Sequence, residues 1–158
     1  MKIISKLSLV SVVMATSMYA SNLSVKIGVE NVNFDKISDS AKSISIVNSK
    51  ANNGFAIEVG FAKGDRIGLI NIKSLYNWKI VDHFYLGANI GYGSIFFNKD
   101  KDYKDMSFTE FTYGGQIKYA INKNHSLDIG YSTGSATTSS GVVSYDMDIT
   151  TFAYSYRF

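Results

Sequence analysis

Cysteine is absent from this chain of 158 residues. Its absence excludes a disulfide scaffold, a thiolate metal site, a cysteine nucleophile and the lipid-bearing cysteine of a bacterial lipoprotein. Long apolar runs are nearly absent too. The only one, LSLVSVVMA, is shorter than the ~20 residues a membrane-spanning helix needs. Charge of one sign is scarce: the formal net charge is +3, and it falls to +1 without Lys2 and Lys6, because residues 1–20 contain no Asp or Glu. A basic footprint for nucleic acid is therefore missing. Sustained helical periodicity is missing as well. The length suits one domain.

Two features fill these gaps. The first is an N-terminal leader. MKIISK supplies two lysines, LSLVSVVMA a short apolar stretch, and TSMYA a small residue at its end. This is the form of a secretory signal peptide over 1–20, with cleavage after Ala20 and Ser17 as the alternative. The mature domain is then 21–158.

The second feature is alternation. LSVKIGV sets Leu23, Val25, Ile27 and Val29 against Ser24, Lys26, Gly28 and Glu30. GFAIEVGFA sets Phe55, Ile57, Val59 and Phe61 against Ala56, Glu58, Gly60 and Ala62. FYLGANIGYG, FTYGGQIKYAI, LDIGYS and the closing FAYSYRF repeat the rhythm. A two-residue period marks β-strands with one apolar face. Eight strands are predicted, at 22–32, 42–49, 54–63, 66–78, 84–97, 108–121, 126–137 and 144–158. The second carries the weakest pattern. KGDR reads as a two-residue hairpin turn through Gly64 and Asp65, pairing Lys63 with Arg66 and Val59 with Ile70. An even number of antiparallel strands closes without edges, so the fold class is an all-β, eight-stranded, antiparallel up-and-down barrel.

Alternation does not say which face points inward. A soluble ligand-binding barrel hides its apolar face, whereas a transmembrane barrel shows it to lipid. Three observations favour the second. The apolar stripe carries no charge. The opposite face mixes charges with many glycines, which suit a crowded interior. Aromatics gather near strand ends: Tyr76, Trp78, Phe84, Tyr119, Tyr156 and Phe158 on one rim, and Phe96, Phe97, Phe108 and Phe111 towards the other. Girdles of this kind mark the two membrane interfaces. The expected interior then holds Lys26, Lys73, Lys118 and Arg157 against Glu30, Glu58, Glu110 and Asp128. Burial demands that such charges pair. The expected pairs are Glu58–Lys73 and a Lys118–Asp128–Arg157 cluster.

The signal peptide, the alternating strands, YGGQIKYAINKNHSLDIGY and the ending FAYSYRF together resemble the small outer-membrane β-barrels, the opacity-type proteins and the transmembrane domain of OmpA-like proteins. The resemblance spans 21–158. It implies residence in the outer membrane of a Gram-negative bacterium, both termini in the periplasm, and contact with outer-membrane lipids and lipopolysaccharide. It also implies that Phe152, Tyr154, Tyr156 and Phe158 form a C-terminal assembly signal, read by the barrel assembly machinery after delivery by periplasmic chaperones. The peptidoglycan-binding domain of many OmpA-like proteins is not carried over, since no sequence for it follows the barrel.

Chemistry is sparse. Outer-membrane hydrolases of similar shape use His with Ser near the outer leaflet. Here His83 and His125 fall at predicted periplasmic turns, and His125 and Ser126 point to opposite faces. No catalysis and no cofactor are expected. NKDKDYKDM offers Asp100, Asp102 and Asp105, but lysines interleave and the glycine and terminal Glu of a calcium loop are missing, so no metal is expected. An eight-stranded lumen is just filled by side chains. The expected role is therefore structural or interactive, as a monomer meeting an envelope or host partner through its extracellular loops near 34–41, 98–107 and 138–143. The alternatives are a narrow porin-like channel and a soluble periplasmic barrel.

Overall fold

The computed structural model describes residues 22–98, 103, 108–138 and 141–158. The leader lies outside the described residues, as do Asp100, Asp102 and Asp105. Eight strands follow one another: β1 (Leu23–Phe34), β2 (Ile37–Ser49), β3 (Gly54–Lys63), β4 (Ile67–Val81), β5 (Phe84–Phe97), β6 (Phe108–Ala120), β7 (His125–Thr138) and β8 (Ser144–Arg157). Each pairs antiparallel with the next, and β8 returns to β1, so the sheet is a closed barrel. Closure satisfies every strand edge, which is what a strand needs in a medium without water.

The stagger can be followed residue by residue. Ser24 pairs with Val47, Val47 with Glu58, Glu58 with Lys73, and Lys73 with Gly91. Gly91 pairs with Thr112, Thr112 with Gly134, Gly134 with Met147, and Met147 with Phe34. One circuit thus climbs ten residues along β1, from Ser24 to Phe34. A stagger of this size tilts the strands and leaves an interior that side chains fill.

Three local features differ from the sequence expectation. First, β2 begins at Ile37 rather than 42, and the predicted loop over 34–41 shrinks to a turn at Asp35 and Lys36, with Asp35 at φ 48°. Ser38, Ser40 and Lys42 on its outer face carry no apolar stripe to betray a strand. Second, the β3–β4 register slips by two: Lys63 faces Gly68, Val59 faces Ile72 and Glu58 faces Lys73. A slip of two keeps each side chain on its expected face, where a slip of one would have inverted them all. Third, Gly64 does not adopt a positive φ; among glycines that conformation belongs to Gly54 and Gly141. Gly64 is required by proximity instead. A Cβ there would lie 2.3 Å from Asp39 Oδ2. That oxygen accepts the N–H groups of Arg66 and Ile67, each at 2.8 Å, and so fixes the turn.

The barrel also changes character along its length. Near the termini, odd-numbered β1 residues such as Val25 and Ile27 face out, and Ser24, Lys26 and Glu30 face in. Beyond Glu30 the chemistry inverts while the geometry does not: Asn31 and Asn33 face out, and Val32 and Phe34 are buried inside. β8 inverts the same way, with Phe152 outward but Asp146 opposite the outward Ser135, and Met147 and Ile149 buried inside. The distal half therefore has an apolar centre and, on β7, β8, β1 and β2, a polar exterior.

Candidate functional site: a sealed lumen

The lumen is layered. At the terminus end lie Ser24, Ser126, Ser155 and Asn77, all buried. Above them Lys26 Nζ meets Glu58 Oε2 at 3.1 Å, and Lys118 Nζ lies 3.7 Å from Asp128 Oδ1. Ser155 donates to Asp128 at 3.1 Å. Next, Lys73 Nζ lies 3.8 Å from Glu30 Oε1. The expected Glu58–Lys73 pair is thus replaced. The two are direct neighbours across β3 and β4, but Glu58 reaches to Lys26 and Lys73 to Glu30. Long side chains in a narrow lumen meet across it more readily than beside their own strand. Arg157 also leaves its expected cluster. It stands at the rim and donates to Ser49 Oγ at 2.8 Å. Glu110 is fully buried with neither carboxylate oxygen hydrogen-bonded, and Thr112 beside it on β6 is unpartnered as well.

The distal third is different. Phe34 sits at its centre, with ring centroids of Phe108, Phe97, Tyr145 and Tyr103 at 5.2, 5.3, 5.3 and 5.7 Å. Val32, Ile67, Leu69, Ile95, Met147 and Ile149 complete the same buried cluster. Tyr103 caps it and donates its hydroxyl to Asp35. This plug was not visible as such in the sequence. Phe97 and Phe108, expected at the outer rim girdle, point into the lumen and are buried. Their signal was parity: each lies on the lumen-facing set of its strand, two residues from Ile95 and Glu110 respectively. The remaining interior space is slight. The cavity near Lys118, Asn124, His125 and Arg157 gives about 20 Å³ to water centres, and the one between Lys26 and Asn89 about 10 Å³. A single water needs roughly 10–15 Å³ on this measure.

The outer surface carries the opposite chemistry. Ile27, Ile44, Ile57, Leu86, Ile90, Ile117, Leu127 and Ile129 are all exposed, around the whole circumference. A soluble monomer rarely exposes more than a few hundred Å² of contiguous apolar surface. Towards the terminus end the expected aromatics face out: Tyr76 against Trp78 at 4.8 Å, Phe84 against Tyr119 at 4.8 Å, and Tyr156 against Phe158 at 5.1 Å. Towards the distal end Phe96 stacks on Phe61 at 6.3 Å, and Phe111 is exposed. Phe152, Tyr154, Tyr156 and Phe158 share the outward face of β8, with Tyr154 half-buried, and the N–H of Phe158 donates to Leu23 O at 3.0 Å across the seam.

Among the described residues, His83 Nδ1 bonds the backbone carbonyl of Ala120 at 2.7 Å, and His125 shares a hydrogen bond with the Tyr154 hydroxyl on the outer face. His125 lies outside with Tyr154 and Tyr156, while Ser126 points into the lumen at Asp128.

A closed eight-stranded ring, an apolar belt outside and charges within define the architecture of the small outer-membrane β-barrels. Solved structures share it. Neisserial surface protein A (NspA) superposes with a TM-score of 0.57 at 15% identity, over 88% of this chain and 98% of that one. The attachment invasion locus protein Ail of Yersinia pestis gives 0.55 at 15%, over 87% and 97%. The outer membrane protein OprG from Pseudomonas aeruginosa gives 0.54 at 11%, over 87% and 96%. At these identities the likeness is one of fold. No protein-family model matches the chain, and no curated protein matches it in sequence.

Proposed function

We propose that this protein is an integral, non-conducting barrel of a Gram-negative outer membrane, with a structural or surface-contact role and no catalysis. One observation carries the reading. The distal lumen is filled by the aromatic cluster around Phe34, so among the described residues no continuous polar path joins the two ends. The ion pairs beneath it and the small cavities at the terminus end support the same reading. In this orientation the termini and the turns near Asn52, His83 and Asn124 are periplasmic, and the polar collar with the turns at Asp35 and Gly64 is extracellular. The names of two fold relatives, a surface protein and an attachment invasion locus protein, favour contact through that collar. Phe152, Tyr154, Tyr156 and Phe158 serve as the assembly signal, on an outward face fit for lipid and for the machinery that inserts it. The partners are outer-membrane lipids and lipopolysaccharide, the assembly machinery with its chaperones, and an envelope or host surface.

The test is single-channel recording of the refolded protein in planar bilayers. The expected result is a flat baseline. Steady, reproducible current steps that scale with protein added would overturn the sealed lumen and favour a narrow pore.

A further inference from the structure

The outward face of β2 and β3 is a ladder of matched pairs. From the middle of the belt towards the extracellular end it reads Ile46 opposite Val59, Ile44 opposite Phe61, then Lys42 opposite Lys63. Two apolar rungs are followed by two lysines in facing positions. Like charges in facing positions of an antiparallel pair destabilise it. Nothing in the same row relieves them. Lys42 is flanked on its other side by Val29, and Lys63 by Gly68, whose open face is covered by the Phe96 ring. Neither lysine joins an ion pair among the described residues. Asp39, which lies three residues before Lys42 on the inward face of β2, is already occupied by the N–H groups of Ser40, Arg66 and Ile67.

Directly below, Ile44, Phe61 and Ile70 form one exposed row across β2, β3 and β4. Cationic tips above an apolar floor are the arrangement that a lipid fits: its phosphate takes the charges and its chains cover the floor. Lysine stems reach along such a surface while keeping the charge at its edge. We infer that Lys42 and Lys63 form a binding site for the phosphate of a phosphorylated outer-leaflet lipid, its acyl chains lying on Ile44, Phe61 and Ile70. The site rests on the reading of the belt as lipid-facing.

The experiment uses the sign of a substitution. Unfolding temperature is measured for wild type, Lys63→Gln, Lys42→Gln/Lys63→Gln and the control Lys36→Gln, in phosphatidylcholine vesicles with and without bis-phosphorylated lipid A. Without it, Lys63→Gln is expected to unfold at a higher temperature than wild type, because repulsion is relieved. With it, the order inverts. Less lipid A co-purifies with the double variant, Lys42→Arg/Lys63→Arg retains it, and Lys36→Gln follows wild type throughout. Inorganic phosphate and dephosphorylated lipid A leave the order as in plain vesicles. The same order with and without lipid A would overturn the site, and inversion by inorganic phosphate alone would overturn the lipid as its occupant. Wild type that folds but does not insert into either vesicle overturns the lipid-facing belt itself, a different failure from loss of inversion in an inserted barrel.

Discussion

Two glutamates in one lumen show how much a partner matters. Glu58 and Glu110 are both buried. Glu58 holds Lys26 at 3.1 Å, whereas Glu110 has no hydrogen bond to either oxygen. Removing the charge of Glu58 strands a buried ammonium, which costs ~3–5 kcal/mol when a buried pair is broken. Removing that of Glu110 breaks no hydrogen bond among the described residues and leaves Lys73 with Glu30 at 3.8 Å. In urea unfolding of the vesicle-inserted protein, Glu58→Gln is expected to lose several kcal/mol, and Glu110→Gln to be neutral or stabilising. Equal losses would mean that Glu110 has a partner as strong as Lys26. At this scale the sequence was informative about residence and poor about pairing. The two-residue period put Lys26, Glu58 and Lys73 on one face. It carries no information about which of several long side chains meet across a tilted ring, because that depends on the stagger of all eight strands.

On the proposed reading β7, β8, β1 and β2 meet lipid along one stretch and water along another. On β7, Ile129 and Ser135 both face outward. Ile129 lies in the apolar belt and is half exposed, while Ser135 stands in the collar opposite Asp146. Lysine on a lipid-facing position costs ~2–4 kcal/mol at the bilayer midplane and ~0–1 near the interface. Ile129→Lys is therefore expected to destabilise the inserted protein by about that larger amount, and Ser135→Lys to change it little. A reversed ranking would place the belt elsewhere. The belt strands were legible because their stripe is unbroken, as in β3 and β8. The collar was not. In β2, Ser38, Ser40 and Lys42 face outward, so the stripe vanishes and the segment reads as loop, although Ile37 and Ala41 continue the alternation inside. The KGDR turn misled for a different reason. Its geometry is set by Asp39 from a strand far away in sequence, which local turn preferences do not contain.

Over the whole molecule the chain behaves as two barrels stacked on one axis. The part nearer the termini is polar inside and apolar outside. The distal part is apolar inside, around Phe34, and largely polar outside on the β7–β2 side. The first suits residence in a membrane, and the second closes the lumen around Phe34. The central claim is that the exposed apolar belt faces lipid, with the Tyr76, Trp78, Phe84 and Tyr119 rim at one interface. The chain has a single tryptophan, Trp78, on that rim, and its side chain is exposed. It therefore reports the depth of one known position without mutation. The most direct measurement is quenching of its fluorescence in vesicles whose lipids carry bromine at defined depths along the acyl chain. The account predicts blue-shifted emission, quenched most by bromines close to the headgroups and less by those at the bilayer centre. Emission typical of water, unquenched at every depth in a folded protein, would contradict it.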